Sequence, residues 1–267
     1  MNAAPVRVDR PRPEIAVVTI DRPDRLNTLD VQVVRALHAV LDQIASERDT
    51  RVVVLTGEGR AFCAGLDLNG YGDPEREEQM GVPLATLDRQ REIADLTTRL
   101  HTLPQPVVAA VNGPAAGGGL ALVCASDVRI AAPSAIFAVS FIRAGYSACD
   151  IGVSWLLPRL VGAGRAHELM LTGRRFDAEE ALRIGLVTEI TEDVLAAAIA
   201  KAEQIMLNPP ASVALTKQGM WLALETPALA AAIELENRQQ VITALTEDMP
   251  EARAAFLEKR PPSYKHR

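Results

Sequence analysis

Apolar residues change period several times along the chain. Ile15-Ala16-Val17-Val18-Thr19-Ile20 is a short β-rich run closed by Asp21-Arg22-Pro23, a turn signal. Over 29–46 the apolar positions Val33, Val34, Leu37, Val40, Leu41 and Ile44 recur at helical spacing. Residues 51–56 form a second apolar run, closed by Gly57, that reads as a buried strand. A glycine-bearing loop follows over 57–72. Residues 73–83 are charged and interrupted by Pro74 and Pro83, which predicts a mobile loop. Helical spacing resumes over 87–103. Residues 106–111 read as another buried strand, turned by Asn112-Gly113, and Gly117-Gly118-Gly119 opens a short helix reaching Cys124. Short strands are expected at 128–131 and 136–139.

Beyond about residue 150 the pattern becomes helical, over 163–172, 177–184, 193–207, 211–224, 227–246 and 249–259, with one short strand near 186–190. Alternation of strand and helix followed by helices alone predicts an α/β core, over 1–200, with a C-terminal helical region over 201–267. No low-complexity linker separates the two.

Composition narrows the class. The chain has 267 residues, enough for one large core, and a net charge of −6. Such an acidic chain has no general attraction to nucleic acid or anionic membranes. The longest apolar run, within 104–116, is too short to span a bilayer. Three cysteines without a C-x-x-C pair, and no signal-like N-terminus, fit a cytoplasmic protein. The four histidines lie far apart and lack metal-ligand spacing, so no metal is expected. Gly57-Glu58-Gly59 and Gly162-Ala163-Gly164 each lack the third glycine of a dinucleotide fingerprint.

Two stretches share a design. Strand 52–56 leads to Phe62-Cys63-Ala64-Gly65-Leu66-Asp67, and strand 107–111 leads to Ala115-Ala116-Gly117-Gly118-Gly119. Small residues let a ligand approach the backbone closely, and the first N–H groups of a helix point outward with partial positive charge. Two such loops side by side would aim two N–H donors at one oxygen and stabilise charge developing on a carbonyl. The same glycines also suit tight helix–sheet packing alone.

These segments, with Trp155-Leu156-Leu157-Pro158-Arg159-Leu160-Val161-Gly162, Leu171-Thr172-Gly173, Ala181–Leu186 and Phe256-Leu257-Glu258-Lys259-Arg260, resemble the crotonase (enoyl-CoA hydratase/isomerase) superfamily over roughly 14–262. The resemblance implies a spiral of ββα units with a C-terminal helical region that covers coenzyme A and builds oligomers, usually trimers or dimers of trimers. It implies an acyl-CoA thioester as substrate and no other cofactor. By position it makes the N–H groups of Ala64 and Gly118 the oxyanion donors, beside Gly117. It makes Ala64, Gly65, Leu66 and Asp67 the acyl-CoA contact strip, and lays the segment of Asp24, Arg25, Leu26 and Asn27 along the adenosine and pantetheine parts. Phe256 and Lys259 would reach coenzyme A as well, often from a neighbouring subunit.

The departures from the family pattern bear on mechanism. Typical hydratases carry two glutamates where this chain has Ala121 and Phe141. Two carboxylates suit water addition, because together they position water and control the proton delivered to Cα. One acid remains nearby, Asp150, in a loop resembling the family branch that uses an aspartate there, which includes isomerases of phenylacetate catabolism. Asp150 can serve as a single proton shuttle, or cap the helix that follows. Double-bond isomerisation is therefore expected ahead of hydration. A conventional hydratase and an idle coenzyme A-binding or assembly protein remain as alternatives.

Overall fold

The computed structural model describes residues 4–68 and 72–266. The chain enters through an antiparallel pair, β1 (Val6–Arg12) and β2 (Ile15–Ile20), with Val8 opposite Val18. β1 forms the sheet edge, and its Arg7, Asp9 and Arg10 stay exposed. That polar surface left no apolar run in the sequence, so the strand was not expected. A 3₁₀ turn at Pro23–Arg25 leads to α1 (Val31–Ser46), whose N-cap Asp30 accepts the Val33 N–H. This closes one of the donors a helix start leaves open. α1 buries Val33, Val34, Leu37, Leu41 and Ile44, the stripe expected from spacing.

β3 (Val52–Gly57) pairs parallel to β2, with Val17 opposite Val54. The segment expected as a mobile loop over 73–83 instead holds α2 (Pro74–Met80) and the first turn of α3 (Val82–Thr102). Asp73 caps α2 by accepting the Arg76 N–H, and both prolines sit in first helical turns. Proline there loses only an N–H that has no helical partner, so it starts these helices rather than breaking them.

β4 (Val107–Val111) extends the sheet in parallel, with Val54 opposite Val108. β5 (Ala115–Ala116) and α4 (Gly118–Ala125) follow, then β6 (Val128–Ala131) and β7 (Ile136–Ala138). α5 (Val153–Val161) and α6 (Ala163–Thr172) precede β8 (Arg175–Asp177), α7 (Ala178–Arg183) and β9 (Glu189–Ile190). The six-stranded sheet has the order β1-β2-β3-β4-β6-β9, and a small second sheet runs β5-β7-β8. Every pairing of the large sheet except β1–β2 is parallel. A parallel sheet needs cover on both faces. One face packs on α1, α3 and α4, the other on α8 (Val194–Met206) through Ala198, Ala202 and Met206. Position 200, the expected edge of the core, falls inside α8.

α9 (Pro210–Glu225), α10 (Leu229–Ala244) and α11 (Asp248–Glu258) complete the chain. α9 docks through buried groups: Lys217 Nζ lies 2.8 Å from Asp127 Oδ2, and Trp221 Nε1 donates to Asp127 Oδ1 at 2.9 Å. Lys217 also donates to the carbonyls of Leu100 and Gln105. Among the described residues no helix is long and apolar enough to cross a membrane.

Candidate active site

β3 and β4 are adjacent and parallel, so the loops after them leave from the same edge of the sheet. In open α/β sheets that carboxyl edge is where ligands bind. The two loops are locked together. Cys63 bridges Ala115, and the Ala116 N–H donates to the Cys63 carbonyl at 3.0 Å. A Cβ on Gly65 would lie 2.9 Å from the Ala116 oxygen, and one on Gly119 only 2.0 Å from the Cys63 oxygen. Glycine at both positions is what allows this approach.

The backbone donors sort themselves by their partners. The Ala64 N–H donates to the Leu26 carbonyl at 3.0 Å, so Ala64 is not a free oxyanion donor, contrary to expectation. The physical reason is the Leu26–Asn27 turn, which has positive φ at both residues and aims the Leu26 carbonyl at this loop. Leu29 and Leu66 form a parallel bridge in which the Leu29 N–H donates to Gly65 and the Asp67 N–H to Leu29. That pattern skips the Leu66 N–H, which has no acceptor among the described residues. In the second loop the Ala116 and Gly117 N–H groups are taken by Cys63 and Ala138. Gly118 is the first residue of α4, and its N–H has no acceptor among the described residues either. The first N–H groups of a helix carry partial positive charge.

A cavity of about 670 Å³ opens beside these loops, lined by Ala64, Leu66, Gly117, Phe141, Asp150 and Ile151, among others. α3 contributes Thr86, Arg89, Gln90 and Ile93, and the loop after β7 contributes Arg143 and Tyr146. Asp150 is the only carboxylate among the described lining residues. Its Oδ1 accepts the Ile151 N–H at 2.8 Å and Gln90 Nε2 at 2.5 Å. Burial pushes the Asp150 carboxyl above its ordinary value, against the lowering by those two hydrogen bonds. The helix α5 is capped by Gly152 without a side-chain bond, so Asp150 does not act as its cap. Ile151 sits at φ +46°, a left-handed conformation that a β-branched residue rarely adopts. Such strain is concentrated at functional sites.

Comparisons with known proteins place the chain in a family. The family model described as enoyl-CoA hydratase/isomerase matches residues 11–267. The chain belongs to the enoyl-CoA hydratase/isomerase family. It is 41% identical over 262 residues to a probable enoyl-CoA hydratase of Mycobacterium tuberculosis, covering 97% of this chain and 92% of the relative. It is 36% identical over 252 residues to the 1,2-epoxyphenylacetyl-CoA isomerase of Escherichia coli K12, covering 94% of each. The crystal structure of a probable enoyl-CoA hydratase/isomerase from Mycobacterium abscessus superposes with a TM-score of 0.92. The two are 37% identical, and the match covers 99% of this chain and 100% of the other. The protein is thus an enoyl-CoA hydratase/isomerase family enzyme with the crotonase fold that its motifs implied.

Within that family fold, the remaining expected residues are distributed unevenly. Arg25 Nη1 donates to Asp67 Oδ2 at 3.0 Å, so Asp67 is engaged with Arg25 beside the loop. Asn27 is fully buried and donates to the carbonyls of Glu58 and Ala61, which makes it a brace of the first loop rather than a ligand contact. Phe141 lines the cavity, whereas Ala121 is enclosed in the core. Phe256 and Lys259 lie on and just after α11, exposed, and do not line the cavity of their own chain. Burial pushes the Cys63 thiol up to about 12, which fits a packing role. Residues 69–71 of the first loop lie outside the described residues. The sequence reading missed Gln90, Arg89 and Tyr146 as lining groups. The spacing of Gln90, Ile93 and Thr97 along one helix face was the available signal.

Proposed function

We propose that this enzyme moves a double bond within an acyl-CoA thioester, using Asp150 as its only proton carrier. The thioester carbonyl is read as sitting between the Leu66 and Gly118 N–H groups. Asp150 would remove a proton from Cα of a β,γ-unsaturated thioester. The electron pair then spreads over Cα, Cγ and the carbonyl oxygen, and the two N–H donors stabilise the charge there. Asp150 returns the proton to Cγ, which leaves the α,β-unsaturated, conjugated product. No water enters or leaves.

The observation that carries this reading is the carboxylate inventory of the cavity: Asp150 present, Phe141 where a hydratase has a glutamate, and Ala121 shut into the core. A single acid of raised affinity for protons suits transfer between two carbons. Hydration is the second reading, favoured by the name of the mycobacterial relative, while the Escherichia coli relative is named an isomerase of an epoxide. The test compares the purified enzyme on a short β,γ-enoyl-CoA and on crotonyl-CoA. Fast isomerisation with slow hydration supports the proposal, and fast hydration of crotonyl-CoA overturns it.

The exposed Leu229, Ile233, Val241, Ile242 and Leu245 of α10 and its end, with Phe256 on α11, support assembly into a trimer or a dimer of trimers. In such an assembly Phe256 and Lys259 would serve the coenzyme A of a neighbouring subunit. A cytoplasmic location, in keeping with three cysteines that form no C-x-x-C pair, belongs to the same proposal.

A further inference from the structure

The Asp150 carboxylate is held asymmetrically. Both of its hydrogen bonds, from the Ile151 N–H and from Gln90 Nε2, end on Oδ1. Oδ2 accepts none among the described residues. One oxygen is therefore anchored and the other is left to carry a proton. The second anchor is on the same helix: Thr97 Oγ1 donates to the Ile151 carbonyl at 3.0 Å. Gln90 and Thr97 are seven residues apart on α3, so they share a face about 10 Å apart along the axis. Ile93 lies between them, buried, and lines the cavity.

What they hold is a turn of strained backbone, closed by the Val153 N–H donating to the Asp150 carbonyl at 2.9 Å. Ile151 and Gly152 have φ of +46° and +79°, and the first of these is costly for a β-branched side chain. The turn also reaches the oxyanion donors, because a Cβ on Gly118 would lie 3.5 Å from Ile151 Cδ1. A displacement of this turn would change the position of Asp150 relative to Gly118.

Resting on the reading of Asp150 as the proton carrier, we propose that Gln90 is its positioning residue, fixing Oδ1 so that Oδ2 faces the substrate. A carboxamide is the suitable donor. It can keep its bond to Oδ1 whether Oδ2 is ionised or holds the proton in transit, bonding the ionised form more strongly, so it follows the whole cycle without itself titrating. A glutamate there would compete for the proton. Among the described residues, the other titratable groups lining the same cavity are Arg89, which donates to Glu77, together with Arg143 and Tyr146. Cys149 precedes it, exposed.

The test is the pH profile of isomerisation turnover in Gln90→Leu, Gln90→Lys and Thr97→Val, each checked for wild-type melting and acyl-CoA affinity. Gln90→Leu removes a donor to the ionised form, so the acidic midpoint should rise by about one pH unit, with about tenfold lower plateau turnover. Gln90→Lys supplies a cation, so the midpoint should fall. Thr97→Val should lower turnover and leave the midpoint unchanged. A purely structural role would move no midpoint, or move both Gln90 variants the same way, and either result overturns the proposal. If Gln90→Leu fails to fold, the Lys variant still decides by the sign of its shift. Full turnover in Asp150→Asn would sink the reading of Asp150, and this proposal with it. Loss in Asp150→Asn with unchanged Gln90 variants would sink the positioning role alone.

Discussion

Replacing Gly65 by alanine probes the contact that holds the two donor loops together. Gly65 has φ +104°, and an added Cβ would meet the Ala116 oxygen at 2.9 Å, the Ala116 carbonyl carbon at 3.5 Å and Gly117 Cα at 3.7 Å. The first neighbour is backbone, so no flexible side chain can yield. Two costs follow. The left-handed conformation costs about 1–3 kcal/mol for an alanine. The contact must then be relieved by separating the loops by a few tenths of an ångström, which spoils the shared aim of the Leu66 and Gly118 N–H groups. Losing one such donor lowers turnover by about 10²–10³-fold. Gly162→Ala separates the two costs, because Gly162 also has positive φ, +84°, but an added Cβ meets nothing within 4 Å. Urea unfolding should show both variants destabilised by about 1–3 kcal/mol. Isomerisation assays should show Gly65→Ala alone losing at least about a hundredfold in turnover. Equal turnover in the two alanine variants would refute the pairing of these loops as the site.

Three further outcomes are expected. Asp150 must be ionised to remove a proton, and burial raises its pKa, so turnover should fall with decreasing pH at a midpoint above the ~3.9 of an ordinary aspartate; a flat profile down to pH ~4 would contradict this. Lys217→Met leaves Asp127 buried with only N–H donors, which should cost about 3–5 kcal/mol in urea unfolding, and a loss under about 1 kcal/mol would show the pair to be unimportant. Light scattering at micromolar concentration should give three or six times the 28.7 kDa of one chain, and a monomeric mass would remove the proposed role of α10.

Much of this arrangement was legible in the sequence because period and small-residue loops are local signals. The stripe of α1, the buried runs of β3 and β4 and the helices from α6 to α11 follow from spacing alone. β1 escaped because an edge strand with one buried residue needs no apolar run. α2 escaped because Pro74 and Pro83 look like breakers until their place in a first turn is known. At the site, glycines marked both loops, but which N–H is free depends on the Leu26 carbonyl and the Leu29 bridge, long-range bonds that no local motif encodes. Gln90 shows the same limit, since its partner lies 60 residues away.

The most direct test is turnover of a short β,γ-enoyl-CoA by Asp150→Asn, with acyl-CoA affinity measured on the same preparation. The side chain keeps its shape and loses its charge. Affinity within a few-fold of wild type and turnover lowered by about a hundredfold or more are expected, the scale for losing a general base. Full turnover in Asp150→Asn would contradict the single-carboxylate mechanism.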